Sequence, residues 1–200
     1  GVGMQLAEEA VGCFGGLRAY WNDEHRQLYG FRLLDHYRRF LDSARLLLCD
    51  FEHTPEQLRD ITLELLRREG WRSDVYIRPL AYKDDDIFRL WLHDATDKIA
   101  IFTQPYDKYI AADTGAKVCV SSWRRVDDTA IPARGKTNGA YVNSALIKSE
   151  AMLNGFDDAI VLNQNGHVSE GSAANFMMVR NGDVITPPVT ANILEGITRR

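Results

Sequence analysis

Three cysteines in 200 residues, Cys13, Cys49 and Cys119, stand far apart, with no CxxC and no paired histidines beside them. That spacing excludes a disulfide framework or a zinc ribbon and leaves reduced, buried thiols as the expectation. His25, His36, His53, His93 and His167 form neither HExxH nor HxH, so no metal centre is expected. Long apolar runs are missing as well, and none approaches the roughly 18 residues of a membrane-spanning helix. The opening Gly1-Val2-Gly3-Met4 has neither a basic leader nor an apolar h-region, so the chain reads as soluble and cytoplasmic, with no membrane partner. Nor is there a basic block: 24 Lys and Arg against 28 Asp and Glu give a net charge of −4, which argues against a nucleic-acid partner. Repeats, low-complexity segments and Gly/Ser/Pro linkers are absent, so organisation has to be read from periodicity.

What is present is a globular composition, 45% hydrophobic and 26% charged. The clearest helix is 55–69, with Thr54 as N-cap, Pro55 at the first position, Gln57 completing a capping box and Gly70 as the stop. Its apolar face is Leu58, Ile61, Leu65 and Leu66. A second helix is expected over 36–48, capped by Asp35, with Phe40, Leu41, Ala44, Leu47 and Leu48 inward. A third covers 140–153 and ends at Gly155. Strand-like runs lie at 74–78, 88–92, 99–102 and 117–120, and then at 159–162, 167–169, 175–179 and 184–185, with turns at Asn165-Gly166 and Asn181-Gly182. Hairpins beside grouped helices predict a mixed α/β or α+β protein with antiparallel strands. The polar segment from Arg124 to Gly135 is the natural domain boundary.

Lys136 opens the third helix, where the macrodipole disfavours a cation, a setting suited to an amine that attacks a carbonyl. A solvated surface lysine fits the same position. Glu170, at the end of a hairpin strand and followed by small residues, suits a buried ion pair or a bond to a heterocycle, although a turn glutamate facing water would look the same. Gly196-Ile197-Thr198 offers backbone N–H groups to a phosphate, or else a plain helix cap.

These residues sit in longer words: Phe14-Gly15-Gly16-Leu17-Arg18-Ala19-Tyr20, His36-Tyr37-Arg38-Arg39, Tyr76-Ile77-Arg78-Pro79-Leu80, Ser121-Ser122-Trp123-Arg124-Arg125, Lys136-Thr137-Asn138-Gly139-Ala140-Tyr141, Val168-Ser169-Glu170-Gly171-Ser172, Thr186-Pro187-Pro188 and Gly196-Ile197-Thr198-Arg199. In this order the chain resembles the class IV (fold type IV) pyridoxal-phosphate aminotransferases, and within them the branched-chain amino-acid aminotransferases. The resemblance implies a two-domain fold like that of D-amino-acid aminotransferase: a small α/β domain over 1–125, a connection over 126–135, and over 136–200 the first part of a larger pseudo-barrel domain. It implies that Lys136 holds pyridoxal 5′-phosphate as an internal aldimine and moves the substrate proton. It implies further that Glu170 pairs with the pyridine nitrogen, that Tyr141 bonds the 3′-oxygen, and that Arg39, Ile197 and Thr198 bind the phosphate. Tyr76 and Arg78 match the region that holds the substrate carboxylate, and Phe14 and Trp123 match apolar walls of the pocket; core aromatics and a strand-surface ion pair are the plainer readings of these residues.

The implied reaction moves an α-amino group between a branched-chain amino acid and 2-oxoglutarate in a homo-oligomer. D-amino-acid aminotransferase and aminodeoxychorismate lyase chemistry, or a non-catalytic fragment acting as a binding module, are the alternatives. Departures are Gly15 where the family usually has a glutamate, Ala173-Ala174 where a second acidic residue is common, and a chain that stops at Arg200 where relatives continue. A molecule ending there is expected to bind cofactor weakly and to expose strand edges.

Overall fold

In the computed structural model the chain divides into two compact units, Gly1–Asp107 and Lys108–Arg200; the residues described within them are 11–84, 91–106 and 115–200. The mixed α/β architecture is as expected.

In the first unit, β1 (Gly12–Phe14), β2 (Leu17–Asn22), β3 (Gln27–Gly30), β4 (Val75–Lys83) and β5 (Asp97–Pro105) form one antiparallel sheet. β4 is its axis. β5 runs along one side of β4, while β2 and β1 share the other, against Val75–Ile77 and Leu80–Tyr82 respectively. Gly15-Gly16 is the break between them, and it lies opposite Pro79. In an antiparallel strand a residue's N–H and C=O face the same neighbour, so a proline fits mid-sheet where that neighbour is interrupted. The Pro79 carbonyl accepts the Gly15 N–H at 2.8 Å. A Cβ on Gly15 would meet Pro79 Cγ at 2.6 Å, so the proline ring occupies the space a side chain at 15 would need.

Two helices, α1 (Leu33–Leu46) and α2 (Pro55–Glu69), cover one face of this sheet and close a core that includes Leu17, Tyr37, Phe40, Leu58 and Ile77. α2 forms as its local signals dictate: Thr54 accepts from the Gln57 N–H, the Gln57 side chain accepts from the Thr54 N–H at 2.8 Å, and Gly70 ends the helix at φ 66°. Its buried face differs from the expected one. Thr62 is buried and Ile61 is exposed, because the Thr62 hydroxyl bonds the Leu58 carbonyl at 2.8 Å and the Tyr37 hydroxyl, which removes its need for water. Leu65 and Leu47 are half-buried and Leu48 is exposed.

α1 starts earlier than expected, and Asp35 is not its cap. The chain is still tied to the sheet at Phe31, whose N–H donates to the Arg18 carbonyl at 3.1 Å. Arg32 then turns through the left-handed region (φ 48°) to open the helix, and Asp35 sits inside the first turn, accepting from Arg32 Nε at 2.7 Å. The three strands before α1 are not among the expected strand runs, which begin at residue 74. The strand expected at 88–92 falls largely outside the described residues, and Trp91 and Leu92 are not in a strand.

In the second unit, β6 (Val118–Arg124), β7 (Asp158–Leu162) and β8 (Val168–Gly171) form a three-stranded sheet, and β9 (Met178–Arg180) pairs with β10 (Asp183–Ile185) as a separate hairpin. Asn181 and Gly182, both at positive φ, make the tight turn of that hairpin. The expectation of antiparallel strands is corrected at one place: β6 and β7 pair in parallel, joined by α3 (Asn138–Leu153) as a crossover. α3 buries Ile147 and Ala151 against Ala159 and Val161. Its Glu150 carboxylate accepts from the Ser121 and Ser122 hydroxyls at 2.5 Å each, which pins the helix to β6. β6 therefore belongs with the second unit, and the unit boundary at 107/108 precedes the connection read at 126–135.

Candidate active site

The sheet face of the first unit that the helices leave open carries the alternate residues of β4. Val75 and Ile77 point into the core, so Tyr76 and Arg78 point away from it. The Arg78 guanidinium lies 4.6 Å from the Phe14 ring centroid and 5.2 Å from that of Tyr76, and it donates to the Tyr76 hydroxyl at 3.0 Å. Three of the expected substrate residues, Phe14, Tyr76 and Arg78, therefore meet in one stack. The stack extends through the Tyr76 and Tyr106 rings, 5.4 Å apart, to Arg18 over Tyr106 at 4.7 Å. Gly16 lies beneath it: a Cβ there would stand 2.9 Å from the Tyr76 hydroxyl. Arg39 is carried by α1 in the helix layer, half-buried, with its carbonyl accepting the Ser43 hydroxyl at 2.8 Å.

The second unit gathers the remaining residues around a buried carboxylate. Lys136 and Thr137 lead directly into α3, and the Lys136 amine donates to the Tyr141 hydroxyl at 2.6 Å, one turn into the helix, with the same ring 4.7 Å away. Glu170, at the end of β8, is 4% exposed. Its Oε1 meets Arg125 Nη2 at 2.9 Å, and its Oε2 accepts the Leu194 N–H at 3.2 Å and Asn175 Nδ2 at 3.3 Å. Burial pushes the Glu170 carboxyl above its ordinary range. Arg125, the Leu194 N–H, the positive charge of Lys136 and the Asn175 amide all oppose that push.

Asn175 also donates to the Leu194 carbonyl at 2.7 Å, fastening the 193–196 segment beside Glu170. The approach is so close that a Cβ on Gly196 would stand 2.0 Å from Asn175 Oδ1. Beyond it, 197–199 form a turn in which Ile197 is buried and Thr198 is exposed. Trp123 lies on β6, 45% exposed, with its N–H donating to the Ser121 hydroxyl at 3.1 Å. Two buried hydroxyls, Thr137 Oγ1 and Ser172 Oγ, have no hydrogen-bond partner among the described residues.

The sequence does not single out Arg125 and Asn175, which the structure places against Glu170. Arg125 is 3% exposed and reaches α3, β8 and Asn192, yet no strand alternation marks it, because β6 ends one residue before it. A second arginine directly after an exposed one was the available signal. Cys13 and Cys49 are buried thiols, pushed up to about 12 and about 11 chiefly by burial, and Cys119 is half-buried. Among the described residues no group of three or more His, Cys, Asp or Glu is arranged to hold a metal ion. No described helix is long and apolar enough to cross a membrane.

Residues 12–200 match the sequence model of the family described as amino-transferase class IV. A protein of Aquifex aeolicus named "Probable branched-chain-amino-acid aminotransferase" is 48% identical over 186 residues, covering 93% of this chain and 60% of that protein. The branched-chain-amino-acid aminotransferase of Escherichia coli K12 is 34% identical over 193 residues, with 93% and 60% covered. Among solved structures, the branched-chain aminotransferase of Thermoproteus uzoniensis with norvaline superposes with a TM-score of 0.89 at 42% identity, over 94% of this chain and 62% of that one. That of Thermobaculum terrenum in its PLP form gives 0.88 at 39%, over 94% and 61%. The chain thus spans about 60% of the length of the relatives it matches.

Proposed function

Since the chain belongs to the class IV amino-transferase family, we propose that its protein is a pyridoxal-phosphate-dependent transaminase that moves the α-amino group between a branched-chain amino acid and 2-oxoglutarate. The observation that carries this reading is the grouping in the second unit: a lysine amine on a tyrosine hydroxyl 2.6 Å away, with a buried carboxylate that feels the lysine's charge. The names of the relatives, branched-chain aminotransferases in each comparison, support the substrate class.

The residues suit the cofactor. A carboxylate accepts at about four sites; Arg125, Leu194 and Asn175 take three of those on Glu170, leaving room for one more cationic donor. Buried hydroxyls one residue after Lys136 and two after Glu170 add polar capacity that no described residue uses. Pyridoxal phosphate, when bound, supplies an electron-withdrawing ring next to the substrate α-carbon.

In this reading the Lys136 amine holds the cofactor and afterwards takes and returns the proton at the substrate Cα. Tyr141, already its hydrogen-bond partner, orients the amine and bonds the ring oxygen. Glu170 holds an N–H⁺ at the ring nitrogen, and its burial strengthens that pairing. Arg39, with Ile197 and Thr198, binds the phosphate. Arg78, stacked on Phe14 and Tyr76, receives the substrate carboxylate, and Trp123 walls the side-chain pocket. Work as a homo-oligomer in the cytoplasm belongs to the same proposal.

The test is the visible spectrum of the full-length protein with pyridoxal phosphate, with L-leucine or L-valine then added. The expected long-wavelength band disappears in Lys136→Ala and shifts on addition of amino acid. A band unchanged by Lys136→Ala overturns the reading.

A further inference from the structure

Among the described residues, one charged side chain is buried as deeply as Glu170 and faces it directly. Arg125 is 3% exposed and closes an ion pair with Glu170 at 2.9 Å. Its other nitrogens are also engaged: Nη1 donates to the Ser144 hydroxyl of α3 at 3.2 Å, and Nε donates to the Asn192 carbonyl at 3.4 Å. Its backbone is held from both sides, the N–H donating to the Leu162 carbonyl at 2.9 Å and the C=O accepting Gln164 Nε2 at 3.3 Å. A guanidinium tied at this many points cannot swing away from the carboxylate, and its planar fork has little rotamer freedom left to lose.

We propose that Arg125 is a positioning residue: it keeps the Glu170 carboxylate ionised and fixes Oε1, so that the remaining acceptor capacity of Glu170 points at one cationic partner. This rests on the reading of Glu170 as the partner of the cofactor's ring nitrogen. Burial alone favours the neutral acid, and a neutral Glu170 offers a weaker, differently aimed acceptor. The charged groups that act on Glu170 are Arg125 and Lys136; the neutral donors are Leu194 N–H and Asn175. Of the two cations Arg125 is the stronger influence, and its other ties, to Ser144 and Asn192, do not run through Lys136.

The experiment follows the Glu170 carboxyl by 13C NMR of glutamate-labelled full-length protein, with and without pyridoxal phosphate, the signal being assigned by its loss in Glu170→Gln. In Arg125→Met the titration midpoint of Glu170 rises by at least about one pH unit relative to the unsubstituted protein, and Arg125→Lys returns most of the shift. Where Met prevents folding, Arg125→Gln, which removes the charge and keeps one polar donor group, carries the same expectation. A midpoint that does not move in a folded, charge-removed variant overturns the proposal, whatever happens to turnover. Separately, a Glu170→Gln variant with full turnover and an unaltered cofactor spectrum overturns the cofactor reading; the ion pair then stands as a structural tie, and the positioning role falls with it.

Discussion

The two units bury different things. The first closes over apolar side chains such as Phe40, Leu17, Leu58 and Ile77, and its buried polar residues, Ser43 and Thr62, satisfy themselves on nearby carbonyls of their own helices. The second buries Arg125, Asp158, Glu170, Asn163 and several hydroxyls, and spends long-range contacts holding them. Apolar burial stabilises without direction, whereas buried charge costs free energy unless each lone pair and proton is met. The first unit is therefore a scaffold that carries the Arg78 stack on the sheet face its helices leave open, and the second invests stability in one electrostatic arrangement.

That contrast predicts separate responses to mutation. The largest stability effect belongs to the first unit. Phe40→Ala, at a fully buried ring, should cost about 3–5 kcal/mol in denaturant unfolding; a cost under about 1 kcal/mol would mean the helix layer is not what holds that unit. In the second unit the response should fall on chemistry more than on stability. Gly196→Ala pushes a methyl into Asn175 Oδ1 and forces that amide off Glu170 and the Leu194 carbonyl. Its expected result is a turnover loss of about tenfold or more, from a displacement well under 2 Å, with an unfolding cost of about 1–3 kcal/mol. Full turnover in Gly196→Ala would show that the 193–196 segment needs no such tie.

The smallest expected effect is on the acid limb of stability. The Ser121 and Ser122 hydroxyls and the Ser122 N–H hold the Glu150 carboxyl below its ordinary range. A lowered folded value favours the native state once the carboxyl is ionised, so this contribution is present at neutral pH and is lost as pH falls through the acid range. Glu150→Gln should flatten that decline in unfolding measured at stepped pH. An identical slope would assign the acid sensitivity elsewhere.

How much of this was legible follows from how local each signal is. α2 was readable to the residue because cap, box, proline and stop lie within its own length. The start of α1 was not, since it is set by the Phe31 tie to Arg18 across the sheet and by a left-handed Arg32 that no side-chain preference announces. Ile61 and Thr62 exchanged places because a hydroxyl on Tyr37, from the other helix, made the threonine buriable. Lys136 and Glu170 could be picked out through the words around them, whereas Arg125 gains its meaning from partners on α3, on β8 and at Asn192.

The Gly15 break opposite Pro79 has a consequence for how this chain can change over time. A Cβ at 15 would stand 2.6 Å from Pro79 Cγ and 2.8 Å from Leu17 Cδ1, so a side chain there is seated only where the proline ring and the leucine give way, and substitutions at 15 and 79 are expected to act on each other rather than independently.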